Sequence, residues 1–151
     1  HHIDTIARAR GVARIAFGHL DFQVDLGMQA GEDEHELDGV RFAIVMASRR
    51  ANLPPPVDGV TAALDDASRL EADTRRSRRF GFGGKLCIHP KQVDVVNRAL
   101  APTPAQLEWA RLVVQAAASS GGAFRLDGHM VDAPLIARAR ALIDSSVRRM
   151  T

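Results

Sequence analysis

Asp21 stands in HLDFQVDLG, directly after a β-like run at 12–18, VARIAFG. Parallel α/β folds build their sites at the carboxyl ends of strands. A carboxylate there suits a hard cation such as Mg²⁺, which takes one or two protein carboxylates and keeps positions for water and substrate oxygens. The same residue type also serves as the N-cap of a short helix, here FQVDLGM, and both readings stand. Asp25, one turn on, is either a second ligand or a surface acid. His89 precedes Pro90, which forces extended backbone and puts the imidazole at the mouth of a strand KLCIH, 85–89. That position suits a ligand or an acid–base group near neutral pH, and equally a histidine that only bonds backbone. Asp132, in GHMVDAP, follows a tight turn and precedes a helix-starting proline, so it either caps that helix or works in a site.

Other chemistries fail on spacing. The stretch GFGGKLCIHPKQ crowds glycines, Lys85, Cys87 and His89 together, but Gly-Gly-Lys is followed by Leu86 rather than a hydroxyl, and it enters a strand instead of leaving one. It is therefore not a phosphate loop. Cys87 and His89 lack the spaced second pair that a zinc site requires. At an alternate position of its strand, Cys87 reads as an inert core thiol.

The elements that must position these residues follow a rhythm. After the run at 12–18 and the acidic loop GEDEHE comes a buried-face helix of about four turns, LDGVRFAIVMASRRANL, closed by prolines 54–56. PPPVDGVTAAL supplies a second strand. Residues 64–80, LDDASRLEADTRRSRRF, form a helix with two acids in its first turn and arginines in its last, the polarity a helix dipole favours. Glycines 81, 83 and 84 break it, KLCIH gives the third strand, and Pro90 opens the helix KQVDVVNRAL. Strand and helix alternating three times is the pattern of parallel α/β units. Beyond residue 100 the pattern changes: Thr103 and Gln106 form a capping box opening a helix, Asp127-Gly128 marks a hairpin turn, and a last helix begins after Pro134. The expected organisation is an α/β part at 1–100 and a helix–hairpin–helix extension at 101–151.

Composition narrows the classes. The chain has 151 residues, enough for a buried core, with 46% hydrophobic and 25% charged side chains, which is globular. One cysteine forms no internal disulfide, so a cytoplasmic protein is expected. No apolar run reaches the length of a membrane span and no leader pattern opens the chain, so membrane partnership is not expected. Arg69, Arg75, Arg76, Arg78, Arg79 and Lys85 concentrate basic charge, but they alternate with Glu71 and Asp73 as on a solvated helix face. With no tyrosine and one tryptophan there is no aromatic platform beside them, so nucleic acid is not an expected partner.

Four blocks, IAFGHLDFQVDLG, PPPVDGV, GFGGKLCIHPKQVDVVN and FRLDGHMVDAPLIARARALI, occur in an order and at separations that carry a resemblance. From about residue 3 to 145 the chain resembles the C-terminal half of the citrate lyase β-subunit-like proteins, in the aldolase/citrate lyase superfamily that also contains malyl-CoA and citramalyl-CoA lyases. The resemblance implies a (β/α)₈ TIM barrel of which this chain holds about the last three β/α units. It implies Mg²⁺ and an enolate formed during carbon–carbon cleavage or condensation, an oxo acid and a coenzyme A thioester as small-molecule partners, and a homotrimer. The motif match puts the metal-binding aspartate on Asp21, with backbone N–H groups of His19 and Leu20 offered to the substrate carboxylate. Asp132 inherits the role of an acid–base group reaching a neighbouring subunit's site, and Lys85 and His89 line the site. A barrel of this kind needs about 250 residues. The family's blocks bearing a second metal-ligand glutamate and a carboxylate-clamping arginine have no counterpart in these 151 residues. Two expectations therefore compete: part of a Mg²⁺-dependent CoA-thioester lyase, active as the intact protein and inactive as this piece alone, or a non-catalytic piece acting only by subunit association.

Overall fold

A computed structural model of the chain describes residues 2–120 and 122–147; Gly121 and the last four residues of the expected extension lie outside the described residues. The chain divides after Leu100 into two compact units.

The first unit is mixed α/β and helix-rich. Its helices are α1 (Ile3–Ala7), α2 (His19–Leu26), α3 (Asp38–Arg50), α4 (Ala67–Phe80) and α5 (Lys91–Leu100), with a 3₁₀ turn at His35–Leu37. Its strands are β1 (Val57–Asp58) and β2 (Gly84–Lys85), paired in parallel as Val57 with Gly84 and Asp58 with Lys85. The expected strand at 12–18 is reduced to one parallel bridge, Ala16 to Val57. The amide of Phe17 donates to Val57 O and that of Val57 to Ile15 O, each at 2.9 Å. All three strands are shorter than expected for a local reason. Prolines precede Val57 and a glycine follows Asp58, Gly18 ends the first run, and the chain leaves the sheet after Lys85. Ile15 and Phe17 alternate inward and pack with Leu37, Ile44, Ala47 and Phe82, the core under α3.

Helix α3 buries Arg41, Ile44, Ala47 and Ser48, spaced three and four apart as one face requires. Helix α4 starts at Ala67, three residues later than expected. Its acids Asp65 and Asp66 lie before the first turn, and Asp66 is the N-cap, its Oδ1 accepting from Arg69 N at 2.8 Å. Gly81, at φ 103°, closes α4 in the left-handed conformation. Gly83 has a steric reason: a Cβ there would lie 2.8 Å from Pro55 Cβ. Leu70 of α4 packs with Val96 and Leu100 of α5.

The second unit holds α6 (Pro104–Ser119), the hairpin β3 (Phe124–Leu126) and β4 (His129–Val131), and α7 (Ala133–Val147). The capping box is complete, with Thr103 Oγ1 accepting from Gln106 N and Gln106 Oε1 from Thr103 N. The hairpin pairs Phe124 with Val131 and Leu126 with His129. Asp127 at φ 47° and Gly128 at φ 80° give the primed turn a two-residue loop needs. Ala110, Val113, Val131 and Ala139 form its core. No described helix is long and apolar enough to cross a membrane.

Candidate functional site

Helix α2 begins where the chain leaves its bridge at Ala16. Gly18 is the N-cap and offers no side chain, so the amides of His19 and Leu20 open the helix without a side-chain cap. The N-cap alternative for Asp21 is thereby removed: Asp21 sits inside the first turn. Its carboxylate folds back over the cap, with Oδ2 3.3 Å from where a Cβ of Gly18 would be. Amides without a side-chain cap and the helix dipole make such an end attractive to an anion. Asp21, Phe22, Val24 and Asp25 line a shallow depression beside it. Among the described residues no three metal-type side chains gather. What α2 offers is one exposed carboxylate beside uncapped amides, which meets Mg²⁺'s minimum of one protein carboxylate with room for water and substrate oxygens.

Behind this end lies a buried ionic network that the sequence signalled only ambiguously. Asp58, fully buried on β1, accepts from Arg41 Nε at 3.2 Å and from Ser77 Oγ, and its Oδ1 accepts from Gly59 N at 2.9 Å. Arg41, 1% exposed, also pairs with Glu34. Glu34 is held in the left-handed region at φ 53° and takes a second cation, Arg76, at 2.7 Å. Arg76 and Arg69 both reach Asp73, at 3.3 and 3.1 Å, and Thr61 Oγ1 donates to Asp73 at 2.8 Å. The signal for this network was present but ambiguous. Arg41 falls on the apolar stripe of α3, and Asp73, Thr74 and Ser77 on that of α4, where charge is buried only when paired.

His19 and Lys85 meet this network around Gly59. Lys85 pairs in register with Asp58, and its Nζ donates to Gly59 O at 2.8 Å. Burial lowers its pKa against the pull of Asp58, Asp73 and Glu34. His19, 3% exposed, packs its ring on Gly59 and sets Nε2 3.6 Å from Glu34 Oε1. Burial lowers the His19 pKa too, with Glu34 opposing, which favours the neutral imidazole at pH 7.

The remaining residues are placed as follows. His89 is half-buried at the start of α5, its Nδ1 accepting from Lys91 N at 3.1 Å and its carbonyl from Gln92 N at 3.0 Å. Cys87 is exposed rather than in the core, because the strand ends at Lys85 and its alternation does not carry on. The basic cluster is not a solvated face throughout: Arg76 and Lys85 turn inward, Arg69 is half-buried on Asp73, and Arg75 pairs with Glu71. In the second unit Asp132 caps α7, Oδ1 accepting from Leu135 N at 3.3 Å.

The chain is similar to known proteins. Residues 1–90 match the family described as HpcH/HpaI aldolase/citrate lyase. The chain belongs to the HpcH/HpaI aldolase/citrate lyase family. A "citrate lyase subunit beta-like protein" of Deinococcus radiodurans is 37% identical over 136 residues, covering 87% of this chain and 48% of that protein. The mitochondrial citramalyl-CoA lyase of Rattus norvegicus is 30% identical over 133 residues, covering 85% of this chain and 39% of that one. The structure of CitE from Mycobacterium tuberculosis, in complex with magnesium, acetoacetate and coenzyme A, is 29% identical with a TM-score of 0.87, covering 96% of this chain and 56% of CitE. This citrate lyase family chain thus spans about half the length of the curated relatives it matches.

Proposed function

We propose that this chain is part of a Mg²⁺-dependent carbon–carbon lyase that acts on a β-hydroxyacyl-CoA thioester of the malyl-CoA or citramalyl-CoA type. In this reading the first unit is the last three β/α units of a (β/α)₈ TIM barrel, and the second is its helix–hairpin–helix extension. The observation that carries it is the uncapped start of α2 with Asp21 in its first turn, in a family whose named relatives are lyases. The protein CitE, similar over 96% of this chain, binds magnesium and coenzyme A, which supports the same ligands here.

The residues divide the work by position. Asp21 holds the metal from α2, and the amides of His19 and Leu20 bind the oxo-acid carboxylate through the positive end of the helix. Lys85 and His89 line the site in this reading, the one fixing Gly59 O and the other the start of α5. Asp132 serves as an acid–base group in a neighbouring subunit of a cytoplasmic homotrimer. When bound, Mg²⁺ would supply Lewis-acid polarisation of the substrate's hydroxy-acid oxygens; as the carbon–carbon bond breaks, that hydroxyl gives up its proton and becomes the carbonyl of the oxo acid, and the bond's electron pair passes to the thioester carbon as an enolate.

The test is turnover by the whole purified protein of which this chain is part, the 151 residues alone being expected to be inactive. Release of acetyl-CoA from malyl-CoA or citramalyl-CoA that stops with EDTA and returns with Mg²⁺ supports the reading. Absence of turnover with intact oligomerisation supports the association-only alternative.

A further inference from the structure

Gly59 and His19 are packed more closely than any side chain would permit. A Cβ on Gly59 would lie 2.0 Å from His19 Nδ1 and 2.8 Å from Cε1. The backbone of Gly59 is not left-handed, so its identity is set by this contact and not by conformation. The shelf it forms is fixed on both sides: Asp58 Oδ1 accepts its N–H at 2.9 Å, and Lys85 Nζ donates to its carbonyl at 2.8 Å. On the other side of the imidazole stands Glu34, held by Arg41 and Arg76 in a backbone conformation that glutamate rarely adopts. His19 is also the first residue of α2, and the helix has no side-chain cap to fix its start. A buried ring clamped between a glycine shelf and a doubly paired glutamate does that work instead.

We propose that Gly59 and Glu34 are positioning residues, which clamp His19 and thereby set where the uncapped amides of α2 and the carboxylate of Asp21 stand. This rests on the reading of Asp21 as metal ligand and deepens it. The physical logic is that of outer-shell groups at metal sites, where a partner that touches no metal still sets affinity by orienting the ligand. The inward face of α3 and α4, with Arg41, Asp73, Arg76 and Ser77, is then the support of the site and not only of the fold.

The test compares Gly59→Ala, Glu34→Gln and Asp21→Asn with the unaltered protein for Mn²⁺ binding in the presence of oxaloacetate. Mn²⁺ replaces Mg²⁺ at oxygen ligands, and free Mn²⁺ is followed by electron paramagnetic resonance. Circular dichroism and melting establish the folded fraction. The expected result is affinity weakened about tenfold by Gly59→Ala and by Glu34→Gln in folded protein, a loss typical of outer-shell changes. A purely structural role would lower the melting midpoint and leave the affinity of the folded fraction unchanged. If Gly59→Ala does not fold, Glu34→Gln, of the same shape, decides alone. Asp21→Asn that abolishes binding while both other variants stay within about twofold of the unaltered protein overturns the positioning proposal and leaves the metal assignment standing. Unchanged binding in Asp21→Asn, or no binding by the unaltered protein, overturns the metal assignment and the proposal with it.

Discussion

The guanidinium of Arg41 and the carboxylate of Asp58 meet at 3.2 Å where neither has appreciable contact with water, 1% and 0% exposed. They join α3 to β1, and through Glu34 they reach the loop that follows α2. Removing one member of a buried pair leaves the other uncompensated, which costs about 3–5 kcal/mol. Arg41→Met is therefore expected to destabilise the first unit by about that much. Asp58→Asn, whose Oδ1 can still accept from Gly59 N while its Nδ2 donates to Ser77 Oγ, is expected to cost less. Urea denaturation of both variants gives the comparison. Equal and small losses would show that the network adds little.

Acid should loosen the His19 clamp. Burial holds the folded pKa of His19 below its ordinary 6.5, so the unfolded chain takes up a proton over a range where the folded chain does not. The unfolded state binds more protons there, hence stability rises with pH through that window. It is fully present above about 6.5 and is lost as pH falls toward the folded value. The melting midpoint should drop between pH 7.5 and pH 5, and less in His19→Gln. A drop of the same size in both proteins would mean that other groups carry it.

Cys87 should be open to reagents. It is exposed at the surface after β2, so one equivalent of a maleimide is expected to label the folded protein without denaturant. Partial burial of the sulfur raises its pKa above the ordinary 9.0, so labelling at pH 7 should be slower than for free cysteine and accelerate with pH. Labelling that requires urea would place the thiol in the core after all.

The parallel α/β character of the first unit and the capped helices of the second were legible because their signals are local. Thr103, Gln106, Asp127 and Gly128 each act within a few residues, and each does what its type dictates. The strands were legible in place but not in length: prolines 54–56 and Gly59 pin β1 to two residues, and a propensity run carries no such stop. Cys87 was misplaced for this reason. The buried network was legible only in part: Arg41 and Asp73 fall on apolar stripes, but Asp58 and Arg76 look like surface residues unless Arg41 and Glu34, 17 and 42 residues away from them, are known as partners. At α2 the sequence left Asp21 between cap and ligand, and the structure excludes the cap because Gly18 takes that place.

The most direct measurement is Mg²⁺ dependence in the Asp21→Asn variant of the whole protein that contains this chain. The account predicts that this variant folds, since Asp21 is exposed, while Mg²⁺ affinity and Mg²⁺-dependent cleavage of malyl-CoA or citramalyl-CoA fall by roughly 100-fold or more. An Asp21→Asn protein with unaltered affinity for the metal and full turnover would contradict it.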